Sequence, residues 1–340
     1  MQQDVRTRNR AAVARMRQAQ YDYEPERVRT SLQQLFAQQA VVHLATPFED
    51  LDGAAGLYGE AYAPLHTALP DLERRDWIVV AGPSASGDDW VGCCGCYTGT
   101  FQRPWLDIPP TGHQIAMRFH EFYRFEDGRV VEMQALWDIP ELMLQARAWP
   151  MAPALGREWQ VPAPATQDGL IERAWDADAS LASRQLVLDM LIGLSRHATG
   201  GVAAMELERY WHPRCNWYGP SGIGTGRGIA GFRKWHQIPF LRGMPDRRGA
   251  SSSGRDDLFA DGHYVAVTGW PNMQATITGD GWMGIAPAGQ QITMRSLDFW
   301  RCENGLLREN WVLVDLLHVY RQIGVDVLAR MREFTPSRAP

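Results

Sequence analysis

The chain has 340 residues, enough for two domains of ordinary size, each with its own core. Hydrophobic residues make up 45%, charged residues 21%, and the formal net charge is −5, a globular balance that argues against a general binder of nucleic acid or anionic membrane. No stretch is apolar for long enough to span a bilayer, the N-terminus does not read as a signal peptide, and the five cysteines do not suggest a disulfide framework, so a reducing, cytoplasmic setting is expected.

Residues 6–20 read as a basic, mostly polar helix, a solvated or partner-packing arm. A second helix is predicted over 24–37, with Pro25 in its first turn and Val28, Leu32, Leu35 and Phe36 on one face. A strand follows at 40–45, then a helical stretch over 53–67 that ends at Pro70-Asp71. From 76 to 138 short strand-like runs punctuated by Gly and Pro predict an antiparallel sheet, with Glu126-Asp127-Gly128 as a hairpin turn. Residues 148–166 carry repeated prolines and read as a linker or crossover arm. Helix returns at 183–197 and 203–210, and again at 326–334.

The second half repeats the first. Residues 114–145 align with 291–322 without a gap, at an offset of 177, sharing Gln, Ile, Met, Arg, Phe, Arg, Glu, Gly, Glu, Asp and Gln. Gly53, Gly56, Pro70 and Asp71 recur as Gly228, Gly231, Pro245 and Asp246, at an offset of 175. Each half therefore reads as helices first and an antiparallel meander afterwards, an α+β order. The expected organisation is an arm over 1–24, a domain over 25–150, a linker over 151–182, a domain over 183–325, and a helix and tail over 326–340.

At these residues the sequence resembles the SnoaL-like polyketide cyclase family of the nuclear transport factor 2-like superfamily. The pattern is Pro110, Gly112, Arg124, Gly128, Glu132 and Asp138 in the first copy, and Pro287, Gly289, Arg301, Gly305, Glu309 and Asp315 in the second. The resemblance implies two tandem cone-shaped domains, each a curved antiparallel sheet around a pocket closed by N-terminal helices, packed on each other as an internal pseudo-dimer. A further homo-oligomer is left open. It also implies aldol ring closure without metal or organic cofactor, on a small hydrophobic carbonyl-containing substrate, with Asp138 and Asp315 as general acid/base.

Strand alternation puts Asp138, Gln134 and Glu132 on one face. With Glu132 opposite Phe122, Arg118, His120 and Arg124 join that face. A slip by one would bring Met117, Phe119 and Glu121 instead and set Glu121 against Glu132, an unfavourable like-charge pair. The second copy then offers Asp315, Trp311 and Glu309 with Arg295, Leu297 and Arg301. The Arg–Glu pairs also read as ion pairs that hold the sheet. Further pocket candidates are His43, Tyr58, His66 and Trp105 in the first half, and Trp217, Trp235, His236 and Trp282 in the second. The GxGxxG text at 226–231 lacks the parallel βαβ setting of a dinucleotide site, and Cys93, Cys94 and Cys96 lack a second ligand pair for metal. The expected activity is cofactor-independent proton transfer: cyclisation, isomerisation, dehydration or hydrolysis. The alternative is a non-catalytic protein that binds a hydrophobic small molecule with the same fold.

Overall fold

The computed structural model describes residues 4–249, 257–279, 282–287 and 289–335. Two helices, α1 (Val5–Tyr21) and α2 (Pro25–Leu35), open the chain. Glu24 caps α2 by accepting the backbone N–H groups of Glu26 and Arg27, Pro25 takes the first turn, and the face of Val28, Leu32 and Leu35 is buried. Then come β1 (Phe36–Leu44), β2 (Glu49–Asp52), α3 (Gly53–Gly56), a π-helical turn (Leu57–Tyr62), α4 (Ala63–Ala68), β3 (Glu73–Pro83), β4 (Asp89–Thr100), β5 (Gln114–Glu126), β6 (Arg129–Trp137) and α5 (Ile139–Gln145).

The second half follows the same plan. Its elements are α6 (Ala177–Ser195), α7 (His197–Ala204), β7 (Trp211–Tyr218), β8 (Thr225–Arg227), α8 (Gly228–Phe232), a π-helical turn (Arg233–Gln237), α9 (Ile238–Gly243), β9 (Arg248–Gly249), β10 (Asp257–Asp261), β11 (Tyr264–Thr268), β12 (Met273–Thr276), β13 (Gln291–Met294), β14 (Ser296–Glu303), β15 (Leu306–Val314) and α10 (Leu316–Gln322), with α11 (Val327–Phe334) after it. Helix α6 starts earlier than residue 183 because Asp176 caps it, accepting the Ala179 N–H. The helix expected over 203–210 is instead the end of α7 and a short 3-10 turn, Leu207–Arg209.

Each half carries a six-stranded sheet, ordered β2-β1-β6-β5-β4-β3 and β10-β11-β14-β15-β7-β8. The sheets are mixed, not wholly antiparallel as expected: β1 runs parallel to β6, and β7 parallel to β15. Hairpins between neighbours leave turn residues in the sequence, whereas an early strand that returns beside the last one leaves no local mark. In the second half a three-stranded piece, β13-β12-β9, stands apart, so the counterpart of the unbroken β4 is divided between β11 and β12.

Both faces of these sheets are buried. In β5, Ile115, Met117, Phe119, Tyr123 and Phe125 join the core that holds Val28, Leu32, Leu57 and Leu65 of the helices. Phe122, on the opposite face, joins Ile78, Trp90 and Leu136 in a core completed by Phe259, Leu297, Phe299, Trp311 and Leu313 of the second half. Two contacts there join a residue to its own copy 177 positions on. The rings of Phe122 and Phe299 lie 5.0 Å apart, and His120 Nδ1–H donates to the Leu297 carbonyl at 2.6 Å. Gly92 packs closely there: a Cβ at that position would stand 3.1 Å from the Phe299 ring, which would have to give way.

The proline-bearing segment is packed rather than free. Val161 and Ile171 enter the joint core, and Val79 N–H donates to the Gly169 carbonyl at 2.8 Å. The basic helix α1 is likewise docked: Arg10 meets Asp261 of the second half at 2.7 Å with both groups buried, and Arg17 meets Asp76 at 2.8 Å. All five cysteines are buried and unbonded, and among the described residues no helix is long and apolar enough to cross a membrane. Truncating Phe299 to Ala removes an aromatic ring from the shared core. The expected loss is about 3–5 kcal/mol, read as a lower urea midpoint with one common transition for fluorescence and circular dichroism.

Candidate active site

The final hairpin pairs Phe122 with Gln134 and Arg124 with Glu132, and the second copy pairs Arg301 with Glu309. This register lies two residues from the expected pairing and so leaves every side chain on the expected face. Arg118, His120, Arg124, Glu132 and Gln134 do share one face. That face is the one turned toward the other half.

The two strand-end aspartates follow it. Asp138 Oδ2 accepts from Arg118 Nη2 at 2.6 Å and from the backbone N–H of Ser221 at 3.0 Å. Asp315 Oδ2 accepts from the backbone N–H of Thr46 at 2.9 Å, from Thr46 Oγ1 at 3.2 Å and from Arg295 Nη1 at 3.3 Å. Thr46 and Ser221 are themselves equivalent positions, 175 apart. The sequence expectation set these aspartates inside pockets. The structure sets them in reciprocal contacts between the halves, because the more apolar stripe of each strand, not theirs, turns under the helices.

Several other candidates occupy the same junction. His120 is there, Gln134 accepts from Thr268 Oγ1 at 2.5 Å, and Trp311 Nε1 donates to the Pro162 carbonyl at 3.0 Å. His43 pairs with Asp50 at 2.6 Å and stacks on Trp270 of the second half. Arg124 and Arg301 are bound to Glu132 at 2.9 Å and Glu309 at 2.6 Å, as sheet-holding ion pairs would be. His66 stacks on Tyr23, Tyr58 packs part-buried in the same region, and Trp235 is 40% exposed. Only Trp105 in the first cone, and Trp217, His236 and Trp282 in the second, belong to a cone interior.

The first cone is filled by a polar network around Glu121, a residue with no exposed surface. Its carboxylate receives Arg74 Nη1 at 2.5 Å, the Tyr97 hydroxyl at 2.7 Å, the Tyr123 hydroxyl at 2.6 Å, Trp137 Nε1 at 3.0 Å and the Tyr62 hydroxyl at 3.3 Å. Arg74 is held further by Asp76 and by Gln20. Burial pushes the Tyr62, Tyr97 and Tyr123 hydroxyls far above their ordinary range, so they stay protonated donors. Trp105 and Phe48 close over Trp137, and Trp105 Nε1 has no hydrogen-bond partner among the described residues. The Glu121 carboxylate is thus enclosed by five donors.

The second cone keeps an acid at the matching place: Asp298 stands 177 positions after Glu121. The partners have gone. Where Glu121 has Tyr62, Tyr123, Trp137 and Arg74, the equivalent positions hold Gln237, Trp300, Val314 and Gly249. Asp298 accepts from Ser296 Oγ at 2.8 Å and has no ion pair among the described residues. Burial pushes its carboxyl up to about 7, against smaller lowering effects from Ser296 and Arg247. His236 sits on the π-helical turn, a feature frequent at functional sites, and stacks on Trp217 with ring centroids 4.0 Å apart. Burial, helped by Arg247, pushes this imidazole down to about 3, so it is neutral near pH 7. Burial also lowers Arg247, which lies over Phe240, and Phe240 meets Trp282 edge-on. Asp298, Arg247 and His236 are each half-buried.

Asp298, Arg247 and Glu121 were missed by sequence reasoning. A signal did exist: both copies carry an acid at the same point of the more apolar stripe, Ile115-Met117-Phe119-Glu121-Tyr123-Phe125 and its counterpart.

The fold defines a tandem α+β protein, each half a six-stranded sheet with helices on one face. The chain belongs to the SnoaL-like polyketide cyclase family, whose pattern matches residues 14–146 and again 200–323. Similar solved structures each cover about one copy. AclR of Streptomyces galilaeus is 19% identical, covering 44% of this chain and 86% of AclR with a TM-score of 0.36. IdmH of Streptomyces antibioticus is 22% identical, covering 40% and 96% with a TM-score of 0.34. TsrD of Streptomyces laurentii is 16% identical, covering 43% and 98% with a TM-score of 0.35. No curated protein matches the chain.

The two acids are expected to respond oppositely to removal. Glu121→Ala strands Arg74 without its buried partner and should cost about 3–5 kcal/mol in urea unfolding. For Asp298 the folded state holds its proton more tightly than the unfolded chain, so stability falls as pH rises from about 4 to about 7. Asp298→Asn should flatten that fall, raising the melting temperature over wild type at pH 8 and not at pH 4.

Proposed function

We propose that the second cone is the site of acid/base catalysis on a small hydrophobic carbonyl compound, with Asp298 as the group that moves the proton. The observation that carries this reading is a carboxyl raised to about 7 by burial, free of an ion-pair partner, on the helix-covered side of a sheet. Such a group is half ionised near neutrality, where a base is most effective. Its carboxylate takes a proton from a carbon beside a carbonyl, and an enolate forms. Arg247 and an N–H of the neutral His236 imidazole are the nearby donors for the enolate oxygen. Trp217, Phe240 and Trp282 keep water out, which strengthens these interactions. The enolate then attacks a second carbonyl of the same molecule, as in aldol cyclisation, or is reprotonated elsewhere, as in isomerisation. Neither route calls for a metal or organic cofactor.

In this reading the first cone is a structural support, and the halves act as an internal pseudo-dimer in a soluble, cytoplasmic chain. The self-contacts of Phe122 with Phe299 and of His120 with Leu297 support the pseudo-dimer, since only residues beside a two-fold axis meet their own copies.

The test is exchange of the α-protons of 1-tetralone in deuterated buffer, followed by proton NMR. The expected rate rises with pH through about 7 and then levels, and Asp298→Asn lowers it by about 100-fold or more. Asp138→Asn and Asp315→Asn should melt earlier but keep the exchange. Loss of exchange in those two variants and not in Asp298→Asn would return the proton-transfer role to the strand ends. Binding without any exchange in wild type would make the protein a carrier.

A further inference from the structure

Among the buried polar atoms of the second half that have no hydrogen-bond partner among the described residues are Trp300 Nε1, Gln237 Oε1 and His236 Nδ1. Trp300 and Gln237 are 2% and 5% exposed, so water at the protein surface does not serve them. Buried polar groups left in that state are costly, and each needs an explanation.

The first cone supplies one. Trp300 occupies the position of Tyr123, and Gln237 that of Tyr62. Both tyrosine hydroxyls point at Glu121, at 2.6 and 3.3 Å. The matching positions in the second cone therefore look toward its acid, but the acid there is one methylene shorter and bonds to Ser296. The closed circuit of donors around Glu121 has no counterpart around Asp298, and the groups at the matching positions are left without partners among the described residues. His236, which replaces the small Ala61, adds a third such group and a flat surface stacked on Trp217.

We infer that Trp300 and Gln237 contact the ligand of the second cone, the indole N–H donating to a ligand carbonyl oxygen and the amide oxygen accepting from a ligand hydroxyl. The ligand class is then a flat, neutral hydroxy-ketone rather than a simple hydrocarbon or a carboxylate. This selectivity rests on the reading of the second cone as the functional site, and it adds two residues that touch the ligand without moving its proton.

Titration calorimetry with 6-hydroxy-1-tetralone, 1-tetralone and tetralin tests it on the intact chain. Wild type should bind them in that order of affinity, each step about five- to tenfold. Trp300→Phe, which keeps the ring and removes the N–H, should erase the step between 1-tetralone and tetralin. Gln237→Met should erase the step between the hydroxy-ketone and 1-tetralone and leave the other intact. In the unaltered protein, the indole N–H resonance of Trp300 should move downfield with 1-tetralone and stay in place with tetralin, a readout that needs no variant to fold. Equal affinity for all three probes, or variants that fold and keep both steps, would overturn the assignment. Steps that follow the variants without α-proton exchange in any protein would leave these contacts standing and remove the catalytic reading. Exchange that depends on Asp298 but ignores Trp300 and Gln237 would do the reverse.

Discussion

The burial of one sheet against the other is the constraint on which the rest depends. The face involved is not apolar throughout: it carries Arg118, His120, Gln134 and the strand-end aspartates. It can be buried because each of these groups has at least one partner across the junction: the Gly219 carbonyl for Arg118, Ser221 for Asp138, Thr46 for Asp315, the Leu297 carbonyl for His120 and Thr268 for Gln134. With one stripe of every strand committed to this contact, only the alternate stripe remains to line a cavity. That alternate stripe carries Glu121 in one half and Asp298 in the other.

From a common starting plan the two interiors take opposite solutions to the same electrostatic problem. A carboxyl under an apolar helical cover is costly to ionise unless it is paired and hydrogen-bonded. The first half meets the cost with Arg74, three tyrosines and Trp137, and the result is rigid and closed. The second half leaves the cost standing, and the carboxyl answers by holding its proton to about 7. A destabilised group of this kind persists only where stability is supplied elsewhere. Here the supply is the filled first cone and the shared core.

Much of the architecture was legible in the sequence because it is local and said twice. Pro25 in the first turn of α2, the Asp127-Gly128 hairpin turn and the division of the final strands into two stripes are all written within a few residues, and the duplication repeats the hairpin. The parallel pairing of β1 with β6 was not legible, since nothing near Phe36 or Arg129 names a partner so far along the chain. Nor was the direction of the stripes. Avoiding Glu121 opposite Glu132 selected the correct face partition, but a like-charge argument cannot say which face is inside. Hydrophobicity could have said so: the stripe of Ile115, Met117, Phe119 and Tyr123 is the more apolar one, and an acid within it is the exception that marks a site.

The copies also differ in what stands beside the buried acid. Ala61 leaves room for the Tyr62 ring to lie against Trp137 and Tyr97, with ring centroids 5.4 and 6.0 Å away, which seals the first interior over Glu121. In the second half the same pair of positions holds His236 and Gln237. The imidazole stacks sideways on Trp217 instead of crossing the cavity, and Gln237 brings no ring to fill the gap. Met273, standing across from Met294 as Tyr97 stands across from Met117, cannot donate to a carboxylate either. Restoring a closed network there would take several changes at once, because each tyrosine is useful only when Arg74 and a longer acid are present. A single substitution toward the first half would thus add a buried hydroxyl without completing the circuit.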